Sequence, residues 1–542
     1  MTQAAARTEV TGQHSLLRAS ISPALGTTLS RVTGLGRVVA LAWALGQGAV
    51  SDGYNLANTA PNLLYELVVG GVLSSTLVPL FVPRRGETQR DADERASVVS
   101  SVGLIVLTAF TLVAVVASPL FLRLFPDSGG GAEMRHQIAE PLLYLLVPQI
   151  LFYGVGTIGT AMLHARRRFA MAAYAPVATN VVTILAVLAV PLTAGKSDFT
   201  NRPTLLLLGL GTTAGVASMA VLVAIGVRGS GVQMRWLPRF RHPVLREILQ
   251  LGGWTIGYVV ANQVALVVVL RLASGLDAGA ITAYQTAFIF FQLPHGLLAV
   301  SIMTSTTPEL ARAAQQEDRR TLSRRFREGG SMLLTLMIPA AAGLALLGYS
   351  IVQIVLERGL FDHEDTIRTG RTIVTMALGL PGFSLYLYAL RVFYARRDTK
   401  TPFLLNLGEN VANIVLAVAL IGLHEAGLGL AFAGAYTIAA VATVVVLQRR
   451  VPGLIRRDWT PLLARIGIVS TLTIVPLVVI RTVLGESLTS RPLLDILVCV
   501  VVALVVWLGA VTLLRIEGFE PLTRRLQAAI ASFGGSDRSA EP

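Results

Sequence analysis

Long apolar runs recur along this chain from one end to the other, for example Val102 to Leu122 and Leu493 to Leu514. Each can cross about 30 Å of hydrocarbon as a helix that rises about 1.5 Å per residue. The chain of 542 residues is 53% hydrophobic and only 14% charged, whereas a soluble protein carries about 25% charged residues. A soluble fold would struggle to hide so much apolar surface, and a bilayer removes the need. The expected fold class is therefore an all-α polytopic membrane protein with about fourteen transmembrane helices.

The segments are expected at 24–47, 54–82, 98–124, 138–164, 170–194, 204–228, 246–273, 279–307, 331–357, 368–394, 402–422, 426–449, 461–484 and 491–515. The net charge of +14 comes from arginines between these runs. Arg84, Arg85, Arg90 and Arg95 follow the second segment. Arg166 to Arg168 follow the fourth, and Arg235, Arg239, Arg241 and Arg246 follow the sixth. Arg312, Arg319, Arg320, Arg324, Arg325 and Arg327 follow the eighth. Arg449, Arg450, Arg456 and Arg457 follow the twelfth. All fall on one side if the count is right, and the alternate loops are poor in arginine. Such one-sided charge is the positive-inside pattern, so both termini are expected in the cytoplasm. It is not a nucleic-acid surface, because no basic cluster combines with exposed aromatics on a soluble domain.

The single cysteine, Cys499, rules out an intramolecular disulfide and a thiolate-rich metal site. The first twenty residues are polar, so no cleavable signal peptide is expected and the first helix would direct insertion.

An internal repeat is visible. Ala165-Arg166-Arg167 precedes Asn180-Val181, and Ala395-Arg396-Arg397 precedes Asn410-Val411 at the same spacing. Tyr54 pairs with Tyr284 under the same shift. Ser74-Ser75-Thr76 near Pro79 resembles Ser305-Thr306-Thr307 near Pro308. An even number of helices per unit preserves orientation, which implies two parallel six-helix repeats plus two extra C-terminal helices.

Two-lobed transporters bind substrate near the midplane, where ionisable residues are costly and usually functional. The first segment holds Arg31 and Arg37, roughly 10 Å and 20 Å from its cytoplasmic end and about 120° apart around the helix. Ser30, Gly34 and Gly36 lie nearby. A guanidinium offers a diphosphate a fixed charge and forked donors. Arg31 can also snorkel to the headgroups, which Arg37 is too deep to do readily. Asp52 suits either a helix N-cap or a gate. Glu66, inside the second segment, needs a partner or a wet cavity. Asn262, Gln292, Arg271 and Glu409 are further cavity candidates. Interhelical bonding suits Asn262 and Gln292, and snorkelling suits Arg271. Pro61, Pro148, Pro294 and Pro381 are expected to kink their helices. No phosphate loop, zinc spacing or nucleophile elbow is present, so no catalytic residue is expected.

The stretch Ser30-Arg31-Val32-Thr33-Gly34-Leu35-Gly36-Arg37, then Ser51-Asp52-Gly53-Tyr54, then Pro61-Asn62-Leu63-Leu64-Tyr65-Glu66-Leu67, resembles the N-terminal signature of the MviN/MurJ family. Gln292-Leu293-Pro294-His295-Gly296 resembles its counterpart in the second half. The wording is similar to that of the high-GC Gram-positive branch. The chain departs from many members at Val38, Tyr65, Ile289 and Gln292, where an aspartate, an arginine, an arginine and a glutamate are common.

This resemblance implies a lipid II flippase of the bacterial inner membrane, acting in peptidoglycan synthesis within the multidrug/oligosaccharidyl-lipid/polysaccharide exporter superfamily. By motif, Ser30, Arg31, Arg37 and Asp52 match functionally important family positions. The implied organisation is a cytoplasmic segment 1–23, an N-lobe 24–228, a C-lobe 246–449, a lipid-tail groove 461–515 and a cytoplasmic tail 516–542. That tail is expected to hold a short amphipathic helix at 521–533. The expected substrate is the polyprenyl-diphosphate-linked glycopeptide, with membrane lipids and cell-wall synthesis or division proteins as further partners. No cofactor is expected, and coupling would come from the membrane potential or a monovalent ion. The rivals are an exporter of another polyprenyl-diphosphate-linked glycan, a drug/ion antiporter, and a non-transporting scaffold of the same fold. A membrane glycosyltransferase would need a long outer loop with paired carboxylates, which the chain lacks.

Overall fold

A computed structural model describes residues 25–67, 73–126, 128–195, 198–454, 459–489, 491–520 and 524. The N-terminal segment to residue 23 and the expected helix at 521–533 lie outside the described residues, save for residue 524.

The regular elements of the described chain are all helical. Helix α1 covers 25–45. It is followed by α2 (Ala49–Tyr65), α3 (Leu73–Leu80), α4 (Gln89–Val116), α5 (Ser118–Leu122), α6 (Ala132–Leu146) and α7 (Gln149–Ala165). Next come α8 (Phe169–Leu188), α9 (Val190–Ala194), α10 (Arg202–Gly229), α11 (Pro243–Ser274) and α12 (Ala280–Pro294), then α13 (Val300–Gln315) and α14 (Arg319–Leu356). The rest are α15 (His363–Ala377), α16 (Leu380–Ala395), α17 (Lys400–Ala419), α18 (His424–Arg450), α19 (Trp459–Thr489) and α20 (Pro492–Leu514).

Ten spans among the described residues are long and apolar enough to cross a membrane, and two bent helix pairs raise the number to twelve. The remaining two of the expected fourteen correspond to α1 and to α2 with α3. Arg31 and Arg37 lower the hydropathy of α1, and α2 has 17 residues. The most apolar span, α20, has a mean hydropathy of 3.0, yet only 17% of it is buried by protein. A helix so apolar and left so bare needs lipid around it.

The chain divides into two units. One holds residues to Thr282 together with Arg358–Asp362, and the other holds Ala283–Glu357 and His363 onward. Each unit contains one bent span. In the first, α6 and α7 meet at 44° beside Pro148, and in the second, α15 and α16 meet at 46° beside Pro381. Proline removes a backbone donor and crowds the preceding turn, which accounts for the break at this point in both. Pro294 instead precedes a wide turn at His295–Ala299.

The repeat extends to the backbone. Arg167 and Arg397 both adopt left-handed φ values, 56° and 61°. The Arg168 amide donates to the Leu163 carbonyl at 2.8 Å, and the Asp398 amide donates to the Phe393 carbonyl at 3.0 Å. The two helix ends are the same capping turn, built 230 positions apart.

Helices α19 and α20 pair with one another and pack on α14. Their anchor is polar and fully buried. Asp495 accepts a hydrogen bond from Ser350 Oγ at 2.5 Å and an ion pair from Arg481 at 3.2 Å. Cys499 Sγ also reaches Asp495, at 3.6 Å, and packs with Leu347 and Leu477. Near the other end, Trp507 donates to the Thr335 carbonyl at 3.0 Å.

Candidate substrate-binding site

Helix α1 carries Arg31 and Arg37. It is held by α8, where Asn180 Nδ2 donates to the Ser30 carbonyl and to Thr33 Oγ1, both at 3.1 Å. Close approach at the arginine-rich end depends on Gly26, because a Cβ there would stand 2.9 Å from that of Ala173. Arg31 is exposed, and Arg37 is partly buried about 1.7 turns further along.

Arg37 makes no hydrogen bond or ion pair with a described residue, yet its charge reaches the phenols of Tyr54 and Tyr153. Tyr54 is buried and shares a hydrogen bond with Thr212 at 3.0 Å. Tyr65 is the last residue of α2. It bonds Thr157 at 2.6 Å, and its ring lies 5.1 Å from that of Tyr153. The guanidinium therefore lies within electrostatic reach of two phenols and has no ion-pair partner among the described residues.

Asp52 sits at the arginine-poor end, 1% exposed. One carboxylate oxygen accepts from the Thr282 amide at 2.8 Å and from its hydroxyl at 2.7 Å. The other accepts from the Gly279 amide at 2.8 Å. Asn55 also donates to Thr282 Oγ1, at 3.0 Å. Gly279 has φ +92°, and a Cβ there would lie 2.4 Å from the Gln47 carbonyl oxygen, so only glycine fits. Nearby, buried Arg135 donates to the carbonyls of Ser274 and Pro126, each at 2.9 Å. These bonds draw the loops before α2, α6 and α12 into one sealed layer. Asp52 thus lies apart from Arg31 and Arg37 and ties backbone together.

The other candidates are scattered. Glu66 is exposed just past α2, and Asn262 is partly buried on α11. Arg271 is exposed and donates to the Leu124 carbonyl, which docks α11 on the end of the α5 turn. In the second unit, Gln292 is exposed on α12. Glu409 on α17 is 2% exposed, and neither of its carboxylate oxygens has a hydrogen-bond partner. Asn406, Asn410 and Asn413 share the buried face of α17, and Tyr284 lies within electrostatic reach of the carboxylate.

Sequence reasoning missed Tyr153, Thr157 and Thr212. Single polar residues in apolar runs carry no period or motif, and the packing of α2 against α7 is what gathers Tyr65, Tyr153 and Thr157.

A family model described as "Lipid II flippase MurJ" matches residues 41–509. A probable lipid II flippase MurJ from Rhizobium tropici is 33% identical over 441 residues, covering 80% of this chain and 81% of the relative. The lipid II flippase MurJ of Burkholderia cenocepacia is 26% identical, covering 73% and 76%. Among solved structures, a lipid II flippase MurJ in an inward closed conformation superposes with a TM-score of 0.74 at 23% identity, covering 91% of this chain and 98% of the other. An inward-facing multidrug-resistance MATE transporter of the MOP superfamily reaches 0.63 at 14% identity, covering 78% and 95%. The structural likenesses speak to the fold, and the sequence matches decide the family: this chain belongs to the MurJ family of lipid II flippases.

Proposed function

We propose that this protein carries lipid II across the cytoplasmic membrane by alternating access, with Arg37 receiving the diphosphate. The observation that carries the reading is a guanidinium inside α1 that has no ion-pair partner among the described residues. A cation inside an apolar helix is expensive without an anion, and the phenols of Tyr54 and Tyr153 within its electrostatic reach suit a polar head group better than an apolar drug. Arg31, exposed nearer the arginine-rich end, makes the first contact. That end faces the cytoplasm, so the sealed layer around Asp52 faces outward and must open for release. Residues 461–515 guide the polyprenyl tail while the head moves between lobes 24–228 and 246–449.

No nucleotide motif supplies energy, so the cycle is driven by the membrane potential or by an ion. The potential acts on displaced charge at about 2.3 kcal/mol per 100 mV. Glu409 is the candidate coupling group. A buried carboxylate without donors is stable only when it holds a proton or a cation.

The test is transport by purified protein in liposomes containing lipid II, read by an enzyme confined to the far side. Wild-type protein should expose lipid II, and Arg37→Ala should lose about ten- to a hundredfold in rate, the worth of a charged hydrogen bond. Equal rates for the two proteins would remove Arg37 from the head-group site. Activity on other polyprenyl-diphosphate glycans but not on lipid II would transfer the reading to a sister exporter.

A further inference from the structure

The first unit also holds a cavity that none of the candidate residues lines. An apolar cavity of about 240 Å³ opens between α4, α7 and α10, lined by Leu104, Leu107, Ile158, Met162 and Val223. Leu104 and Ala224 on its rim are exposed, so it opens toward the surface that lipid covers. Two features set it apart from a packing defect. Ser100 presents a buried Oγ with no hydrogen-bond partner. Arg228 stands at the arginine-rich end of the slot, exposed and without an ion pair among the described residues.

The wall at that end is an extended strap of residues 231–242 running along α4. Asp93, Ser97 and Ser101 lie four residues apart on one face of α4 and take alternate amides of the strap. Asp93 accepts from Gln233 at 3.2 Å, Ser97 Oγ from Arg235 at 3.1 Å, and Ser101 Oγ from Leu237 at 2.9 Å. The strap's Met234, Trp236 and Phe240 are 43%, 61% and 58% exposed. Aromatic and apolar residues displayed beside arginines suit the headgroup level of a bilayer. A polar cavity lined by Arg90, Asp93, Glu94 and Arg235 adjoins the strap. Its two acids are already neutralised, Asp93 by Arg166 at 2.5 Å and Glu94 by Arg239 at 2.7 Å. Arg90, Arg228 and the Arg235 side chain remain without ion-pair partners among the described residues.

We infer that this slot holds an anionic phospholipid of the membrane, with one acyl chain lying against Leu107, Ile158 and Val223. Its phosphate meets Arg228, and Ser100 donates to the ester region. An apolar channel ending in unpaired arginines beside interfacial aromatics matches the two halves of such a lipid, and a zwitterionic lipid would leave the excess positive charge unanswered. Bound there, the lipid would brace the strap that links α10 to α11.

Native mass spectrometry of the full-length protein, titrated with phosphatidylglycerol or phosphatidylethanolamine, tests this directly. One retained phosphatidylglycerol is expected. Its affinity should fall roughly fivefold in Arg228→Gln, the worth of one arginine near a lipid surface. It should also fall in Ala224→Phe, which fills the slot from its exposed rim. Retention unchanged in both variants, or equal retention of the two lipids, would overturn the assignment. Displacement of the adduct by undecaprenyl phosphate but not by added phosphatidylglycerol would also overturn it, giving the slot to a polyprenyl tail.

Discussion

Asp52 and Thr282 stand 230 positions apart, the same shift that relates Tyr54 to Tyr284, and they are hydrogen-bonded through both the backbone and the side chain of Thr282. A carboxylate with three donors is a strong clamp when dry, because breaking it strands a charge and two amides. In an alternating-access cycle it must break in every turnover. Ser51 Oγ lies 3.2 Å from Thr282 Oγ1, so Ser51→Cys with Thr282→Cys in a Cys499→Ala background should form a disulfide. Oxidation should stop transport, and reductant should restore it. Transport that continues in the fully cross-linked protein would show that this layer does not open.

Gly279 supplies the tight turn that brings its own amide to Asp52. The Gly279→Ala protein must move the Gln47 carbonyl or lose the turn. A loss of about 1–3 kcal/mol is expected, from the strained backbone and the weakened clamp together. Thermal unfolding in detergent would register it as a lowered midpoint, whereas an unchanged midpoint would mean that the loop relaxes freely.

Asp495 is the only ion-pair partner of Arg481 among the described residues. Asp495→Ala leaves that cation uncompensated and should cost about 3–5 kcal/mol, while Asp495→Leu with Arg481→Met should recover much of it. Protease sensitivity of the α19–α20 pair would follow the same order. A double variant as weak as the single one would show that the pair specifies how these helices dock on α14, beyond balancing charge.

Glu409→Gln keeps the shape of the side chain and removes its ability to bind a proton or cation. If Glu409 couples the cycle, transport in the variant should lose its dependence on the imposed pH or sodium gradient while lipid II binding persists. A variant that still follows the gradient as wild type does would place coupling elsewhere.

Much of this fold is legible in the sequence because a membrane imposes a simple rule: apolar runs become helices, and arginines mark one set of ends. The ends of the α8–α9 span, α10 and α20 fall within a few residues of the expected ones for that reason. The breaks beside Pro148 and Pro381 are legible too, since proline acts locally. The long N-terminal extensions of α4 and α14 were not expected. They are polar turns, outside the apolar signal, capped by Asp91 on the Thr88 amide at 2.7 Å and by Asp318 on the Arg320 and Thr321 amides, each at 3.1 Å. The site was legible only in part. Arg37 stands out because a charge in an apolar run is conspicuous. The role of Asp52 depends on a partner 230 residues away, and the Tyr65–Tyr153–Thr157 cluster depends on which faces of α2 and α7 meet. Neither leaves a local trace.

The most direct measurement of the central claim is made in cells depleted of their own lipid II flippase and supplied with this protein. Lipid II reaching the outer leaflet is scored by cleavage with an enzyme added outside. Cleavage restored by the wild type and lost in Arg37→Ala, with both proteins present in the membrane, is the expected result. No cleavage with wild-type protein in the membrane would contradict lipid II transport by this chain, leaving another lipid-linked glycan or a scaffold role for the fold.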